Sequence, residues 1–86
     1  MNRIKLFGTV ENVSDLKFDI SSKLKVYMEL EIKTICGSIF KCIAYEKLCE
    51  KLRKAECSNH IYLCGFITYY DKNEYIIILN EIHLLI

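Results

Sequence analysis

The chain has no proline and only three glycines in 86 residues, which excludes collagen-like repeats and flexible or proline-rich linkers. It has almost no net charge: ten lysines and two arginines against eleven acids leave +1. A strongly basic total, the usual electrostatic mark of nucleic-acid binding, is missing, so any phosphate-binding face must come from local arrangement. No apolar run approaches the roughly 20 residues that span a bilayer. The first residues mix charge with apolar side chains, without a signal-peptide core. No two cysteines are spaced C-x-x-C, and the five present (Cys36, Cys42, Cys49, Cys57, Cys64) are odd in number. They read as free thiols in a reducing cytosol.

What is present is half apolar and rich in β-formers. The hydrophobic fraction is 52%, with thirteen isoleucines and six tyrosines, which excludes disorder. The dominance of isoleucine and lysine reads as coding bias from an AT-rich genome. Residues 1–86 suffice for one domain that buries roughly 60–65% of its unfolded surface.

Residues 3–11 alternate, with Ile4, Leu6, Gly8 and Val10 on one side and Arg3, Lys5, Phe7, Thr9 and Glu11 on the other. That is the period of a half-buried strand, and Gly8 in mid-strand marks a bend or a close backbone approach. Residues 12–24 are polar and read as a loop with a short strand near 16–20. Residues 25–34 alternate most clearly: Val26, Met28, Leu30 and Ile32 face inward, Lys25, Tyr27, Glu29, Glu31 and Lys33 outward. Cys36-Gly37-Ser38 predicts a tight turn, and a strand follows over 38–45. Residues 46–55 change period, with Leu48, Leu52 and Ala55 on one helical face and a favourable Glu50–Lys54 pair. Residues 60–70 and 75–85 are strands joined by the loop Asp71-Lys72-Asn73-Glu74, the first with a central Gly65. The order of the main elements is β-β-β-α-β-β. Five strands with one short helix between the third and fourth is the order of the all-β OB-fold, a Greek-key barrel. The helix is expected to plug its bottom, and mid-strand glycines suit strands that coil sharply to close.

On these residues the chain resembles the bacterial single-stranded DNA-binding proteins. Residues 2–10 follow the family's Asn-basic-aliphatic-x-Leu-aliphatic-Gly-x-aliphatic strand, with Phe7 in an aliphatic slot. Asp15-Leu16-Lys17-Phe18 is similar to the acidic-aliphatic-basic-aromatic element that follows. Ser21, Lys23, Met28, Leu30 and Ile32, then Cys42-Ile43-Ala44-Tyr45 with Lys47-Leu48, then Tyr62-Leu63-Cys64-Gly65, fit the later strands in order. Three departures stand out. Glu46 replaces a family glycine, the loops after the second and fourth strands are short, and Leu84-Leu85-Ile86 carries no acidic recruiting tail. The resemblance therefore implies DNA coating without tail-mediated recruitment. The compact form is also similar to primosomal replication protein B, a dimer of short OB-folds.

Single-strand binding needs cations for phosphates and flat side chains for bases, each stacked base contributing about 1–3 kcal/mol. The resemblance places Tyr45 at a base-stacking position and Lys17 with Phe18 as a basic–aromatic pair near the DNA path. Lys41 precedes Tyr45 on the same strand face. Arg3, Lys25, Tyr27 and Lys33 are expected on the outer surface of adjoining strands, and Tyr69 and Tyr70 at a hairpin tip. An outward tyrosine more often packs against its neighbours, and strand lysines are usually just solvated; the accumulation of both on one face carries the reading. Glu29 and Glu31 repel phosphate unless they lie off the path, so binding is expected to be modest and steeply salt-dependent.

The outward apolar residues Phe7, Ile39, Ile43, Phe66 and Ile78 predict cover by a homo-oligomer. Cys57-Ser58-Asn59-His60 is a lone C-x-x-H and predicts no zinc. Cys42 reads as a small core residue, and His83 has no evident carboxylate partner. No phosphate loop, nucleophile elbow or triad is present, so neither catalytic residue nor cofactor is expected. The function expected is single-stranded DNA binding with little sequence preference, in replication, recombination or repair, in the cytoplasm. Single-stranded RNA is a second ligand, since stacking does not read the sugar. The alternative is an interaction module docking onto a helicase, primase or polymerase, which the weak charge and outward glutamates favour. An enzyme has no support beyond the tolerance of the fold.

Overall fold

The computed structural model describes residues 2–20, 25–55, 60–69 and 71–84. The elements are β1 (Arg3–Glu11), β2 (Lys17–Asp19), β3 (Lys25–Thr34), β4 (Ile39–Tyr45), α1 (Leu48–Ala55), β5 (Ile61–Tyr69) and β6 (Tyr75–Leu84). They are hydrogen-bonded in the order β1-β5-β6-β4-β3-β2, and β1 also pairs with β3. Five strands thus close a barrel, and β2 is a three-residue addition on the free edge of β3. All pairings are antiparallel except a short parallel contact of β4 with β6, at Cys42↔Ile77 and Ile43↔Ile78.

Closure depends on β1 serving two partners. Arg3 to Gly8 run along β5, and Gly8 to Glu11 along β3, so Gly8 is opposite both Ile61 and Thr34. A Cβ at Gly8 would lie 2.1 Å from the Lys33 carbonyl oxygen. Only glycine lets the two backbones approach that closely, which is the physical reason for the mid-strand glycine. A register shift at Cys64/Gly65 leaves Asn80 as the extra residue of a bulge on β6. The bulge re-phases that strand: Ile77 and Leu79 face inward before it, Ile82 after it.

The core is filled by alternate residues of the strands, including Leu6, Leu30, Ile32, Leu63 and Ile77, together with Cys49 and Leu52 of α1. The helix lies against β4 and β6 and seals that end of the barrel with Leu52, which is fully buried. Truncating such a leucine to alanine costs about 2–5 kcal/mol. The helix begins at Leu48, two residues later than its periodicity suggests. The reason is Glu46, whose φ of 51° is left-handed and breaks the helix off from β4. The Glu46 amide donates to the Val26 carbonyl, and its carbonyl accepts from Cys49. Glycine takes this conformation without steric cost, whereas Glu46 meets it under strain. The turn after β3 is as expected: Gly37 has φ 89° and donates to the Thr34 carbonyl.

Candidate nucleic-acid interface

Because side chains alternate along strands, the outward residues of β2, β3 and β4 fall into rows. Lys17, Tyr27 and Tyr45 are in register across the three strands. The rings of Tyr27 and Tyr45 are 5.7 Å apart and tilted by 39°, both half-buried. The next rows are Glu29–Ile43, Glu31–Lys41 and Lys33–Ile39. Lys17, Lys33 and Lys41 are exposed. Rows two residues apart are separated by roughly 6.5 Å, so Lys41 lies about 13 Å along the strand from Tyr45. Lys25 is at the rim, opposite Asp19.

Glu29 and Glu31 lie between the tyrosine row and Lys33, squarely on this face. Each has a donor. The Lys17 ammonium is ion-paired with Glu29 Oε1, and that bond holds the Lys17 pKa above its ordinary value. Asn12, itself left-handed at φ 50°, donates from its amide to Glu31 Oε1. Lys41 has no carboxylate within ion-pair distance among the described residues.

Several expected site residues are not brought together. Arg3 does not adjoin Tyr27 or Lys33. It pairs with Phe66 of β5, and its guanidinium lies 5.6 Å from the centre of that ring. It is Thr9, on the other half of β1, that meets Lys33. Lys17 and Phe18, named together from the resemblance, point to opposite faces. Consecutive strand residues point oppositely, so Lys17 joins the tyrosines while Phe18, 67% exposed, falls on the Val26 side. Tyr69 is at the end of β5, 62% exposed, with its ring 6.0 Å from Tyr75. Tyr70 and Cys57 lie outside the described residues.

The sequence reading missed what surrounds Lys41. A notch of about 230 Å³ is lined by Ile39, Lys41, Asn73, Glu74 and Tyr75. A second, of about 180 Å³, shares Lys41 and includes Asn12, Glu29 and Glu31. The ring of Tyr75 lies 6.4 Å from that of Phe40 and 6.0 Å from that of Tyr69. The available signal was the position of Tyr75 directly after the hairpin loop, facing Tyr69. Beyond Tyr45, a groove of about 720 Å³ between Val26 and α1 is edged by Lys47, Lys51 and Lys54 along with Glu46 and Glu50. Those lysines repeat at i, i+4 and i+7, a helical face readable from spacing alone.

A second outward surface spans β1, β5 and β6. Phe7, 52% exposed, stacks at 4.7 Å on Tyr62, and Tyr62 lies 5.6 Å from His83. His83 does have a carboxylate partner: its Nε2 is 3.3 Å from Glu81 Oε2, and this contact holds the Glu81 carboxyl below its usual range. Ile43, Ile78 and Phe66 are neighbours in one stripe across β4, β6 and β5 and are half-buried, whereas Ile39 is exposed beside the Lys41 notch. Burial pushes the Cys42 thiol up to about 12. Cys36, exposed in the β3–β4 turn, is lowered to about 7 by hydrogen bonds from Thr34 and Ser38. Among the described residues no three metal-ligating side chains cluster, and no helix is long and apolar enough to cross a membrane.

No protein-family model matches the sequence, and a search of curated proteins finds no match. Solved structures do match. The SSB domain of a Synechococcus sp. protein superposes with a TM-score of 0.77 at 15% identity, over 96% of this chain and 94% of that one. The protein PriB from Ralstonia solanacearum gives 0.78 at 8% identity, over 98% and 97%. Rim1, a mitochondrial single-stranded DNA-binding protein from S. cerevisiae, gives 0.71 at 11% identity, over 98% and 95%. The likeness read from the sequence holds at the level of fold: the chain is an OB barrel of the shape seen in SSB domains and PriB.

Proposed function

We propose that this chain binds single-stranded DNA with little overall sequence preference, as a non-enzymatic coating or handling protein of replication, recombination or repair. The observation that carries the reading is the Lys17–Tyr27–Tyr45 row on the outer face of β2–β3–β4. It offers flat rings for bases, with Lys41 and Lys33 further along the same face for phosphates. Stacking on tyrosine uses the π-face common to all bases and is therefore indifferent to sequence. Two structural neighbours, the SSB domain and Rim1, are named for single-stranded DNA binding, which supports the reading. Residues 1–86 act as one domain, in the cytoplasm. The Phe7–Tyr62 surface and the Ile43–Ile78–Phe66 stripe are covered by further copies of the chain.

The test is fluorescence anisotropy of labelled oligo-dT titrated with the full chain across a salt series. Saturable binding that weakens with salt is expected. No binding at low salt overturns the DNA reading and leaves the protein-docking alternative, which the two glutamates on the face favour. Light scattering on a gel-filtration column tests the assembly: a monomer at all concentrations refutes the proposed cover.

A further inference from the structure

The notch at the β5–β6 hairpin does not fit a purely indifferent binder. It is lined by one ring (Tyr75), one ammonium (Lys41), one amide (Asn73), one carboxylate (Glu74) and one aliphatic side chain (Ile39). Its volume, about 230 Å³, is below the roughly 300–1,000 Å³ of pockets for drug-sized ligands and suits one flat base. The loop that carries Asn73 and Glu74 is closed by reciprocal backbone hydrogen bonds between Asp71 and Glu74, at 3.3 and 3.4 Å. The Lys72 amide also donates to Asp71 Oδ1. The ring of Tyr75 has two tilted aromatic neighbours, Phe40 at 6.4 Å and Tyr69 at 6.0 Å between ring centres. Lys41 also borders the second notch, so it stands between two cavities, where a phosphate would join two neighbouring nucleotides.

We propose that this notch is a guanine-selective nucleotide subsite, an inference that rests on the single-strand reading above. A carboxylate only accepts hydrogen bonds, and an amide NH₂ donates. Guanine alone among the bases presents two adjacent donors, N1–H and N2–H₂, beside an acceptor, O6. N1–H and N2–H₂ donate to the two Glu74 oxygens, the Asn73 amide donates to O6, and Tyr75 packs on the ring. Lys41 takes the phosphate. Thymine would set a carbonyl on either side of its single donor and turn lone pairs toward Glu74. Cytosine and adenine each offer one donor next to a bare ring nitrogen. The rest of the path remains indifferent to sequence, so a single guanine anywhere in a long enough strand is drawn into register.

The experiment is competition of unlabelled oligo-dT against its labelled form, with one central thymine replaced by guanine or by hypoxanthine, which lacks the 2-amino group. A good bidentate base contact discriminates by roughly fivefold to 150-fold. At a solvent-exposed rim the lower end applies, and the guanine strand is expected to compete about fivefold to tenfold better than oligo-dT. The hypoxanthine strand should lose most of that gain. Glu74→Gln, at an exposed loop position, should abolish the preference, so that guanine and thymine strands compete equally at each salt concentration, while leaving the circular dichroism spectrum unchanged. Equal competition by the three strands overturns the subsite and leaves the single-strand reading intact. So does a guanine preference that survives Glu74→Gln. Failure of every strand to bind removes both.

Discussion

Replacing Tyr45 with alanine separates the stacking and phosphate contributions proposed for the β2–β3–β4 face. A base stacked on a tyrosine is worth about 1–3 kcal/mol, so Tyr45→Ala is expected to weaken oligo-dT binding by roughly fivefold to 150-fold. The loss is shared with Tyr27, because the rings are 5.7 Å apart and such a pair contributes about 0.5–1.5 kcal/mol beyond its buried area. Tyr27→Ala should therefore cost less in the Tyr45→Ala background than alone, with a coupling of about 0.5 kcal/mol or more in a double-mutant cycle. Neither change removes a cation. For single strands the logarithm of affinity falls by about 0.7 per phosphate contact for each logarithm of salt. Lys33 and Lys41 alone then give a slope of about −1.4. Lys41→Ala should flatten it by about 0.7, and Tyr45→Ala should shift the whole line without changing its slope. The assay is anisotropy with labelled oligo-dT for wild type, the two single tyrosine variants, their double variant and Lys41→Ala across one salt series. Wild-type affinity in Tyr45→Ala at every salt concentration refutes a path over the tyrosine row. A flattened slope in Tyr45→Ala shows that the ring positions lysines and does not stack.

Four further outcomes are expected. Gly8→Ala forces a Cβ to within 2.1 Å of the Lys33 carbonyl oxygen and must part β1 from β3; a loss of about 3 kcal/mol or more is expected, read as a lower urea midpoint, and an unchanged midpoint would contradict the closure argument. Glu46→Gly relieves a left-handed residue whose cost is about 1–2 kcal/mol against a glycine entropy cost of about 0.5–1 kcal/mol; Tm should rise, and a fall would mean the Glu46 side chain has an unrecognised role. Cys36 should be alkylated by iodoacetamide with a rate that rises through pH of about 7, while Cys42 stays unreactive. Because the Cys36 pKa is depressed on folding, its contribution to stability is fully present above the unfolded value of 9.0 and is lost as pH falls through about 7; Thr34→Val should move the alkylation profile upward. Glu29→Gln removes a charge from the face and frees Lys17, so oligo-dT binding should tighten at low salt by a few-fold, on the order of 1 kcal/mol, and converge with wild type at high salt; no change at low salt places Glu29 off the path.

The order of the elements was legible because the chain keeps its periods cleanly: two in residues 3–11 and 25–34, helical in residues 48–55. What escaped was whatever depends on non-local register. Arg3 and Thr9 lie on the same face of one strand, yet meet different partners because β1 changes neighbour at Gly8. No local pattern records that hand-over beyond the glycine itself. Lys17 and Phe18 were named together because they match a basic–aromatic pair of the family the chain resembles, and the three-residue β2 pairing sends them to opposite faces. The run Ile76-Ile77-Ile78-Leu79 has no alternation to read, and the bulge at Asn80 shifts the phase before Ile82. The Glu81–His83 contact, by contrast, joins residues two apart on one strand and was readable in principle.

The near-neutral charge of the chain takes on a different meaning once the register is known. The two glutamates on the face would be obstacles if bare, but Glu29 is bonded to Lys17 and Glu31 to Asn12. The carboxylates are thereby partly screened where a phosphate would pass, at the expense of one lysine's availability. What remains for phosphate is a small number of cations, chiefly Lys33 and Lys41, next to a tyrosine row whose contribution is insensitive to salt. That balance argues against the steep salt dependence expected from the sequence. A binder with two principal phosphate contacts loses only about sevenfold between 50 and 200 mM salt, where a binder making 6–10 contacts to duplex DNA loses roughly 10³–10⁵ over the same range. Affinity on this face is therefore set by how many bases reach aromatic side chains. On the proposed path the residues that decide it are Tyr27, Tyr45 and Tyr75, not the lysine count of the chain.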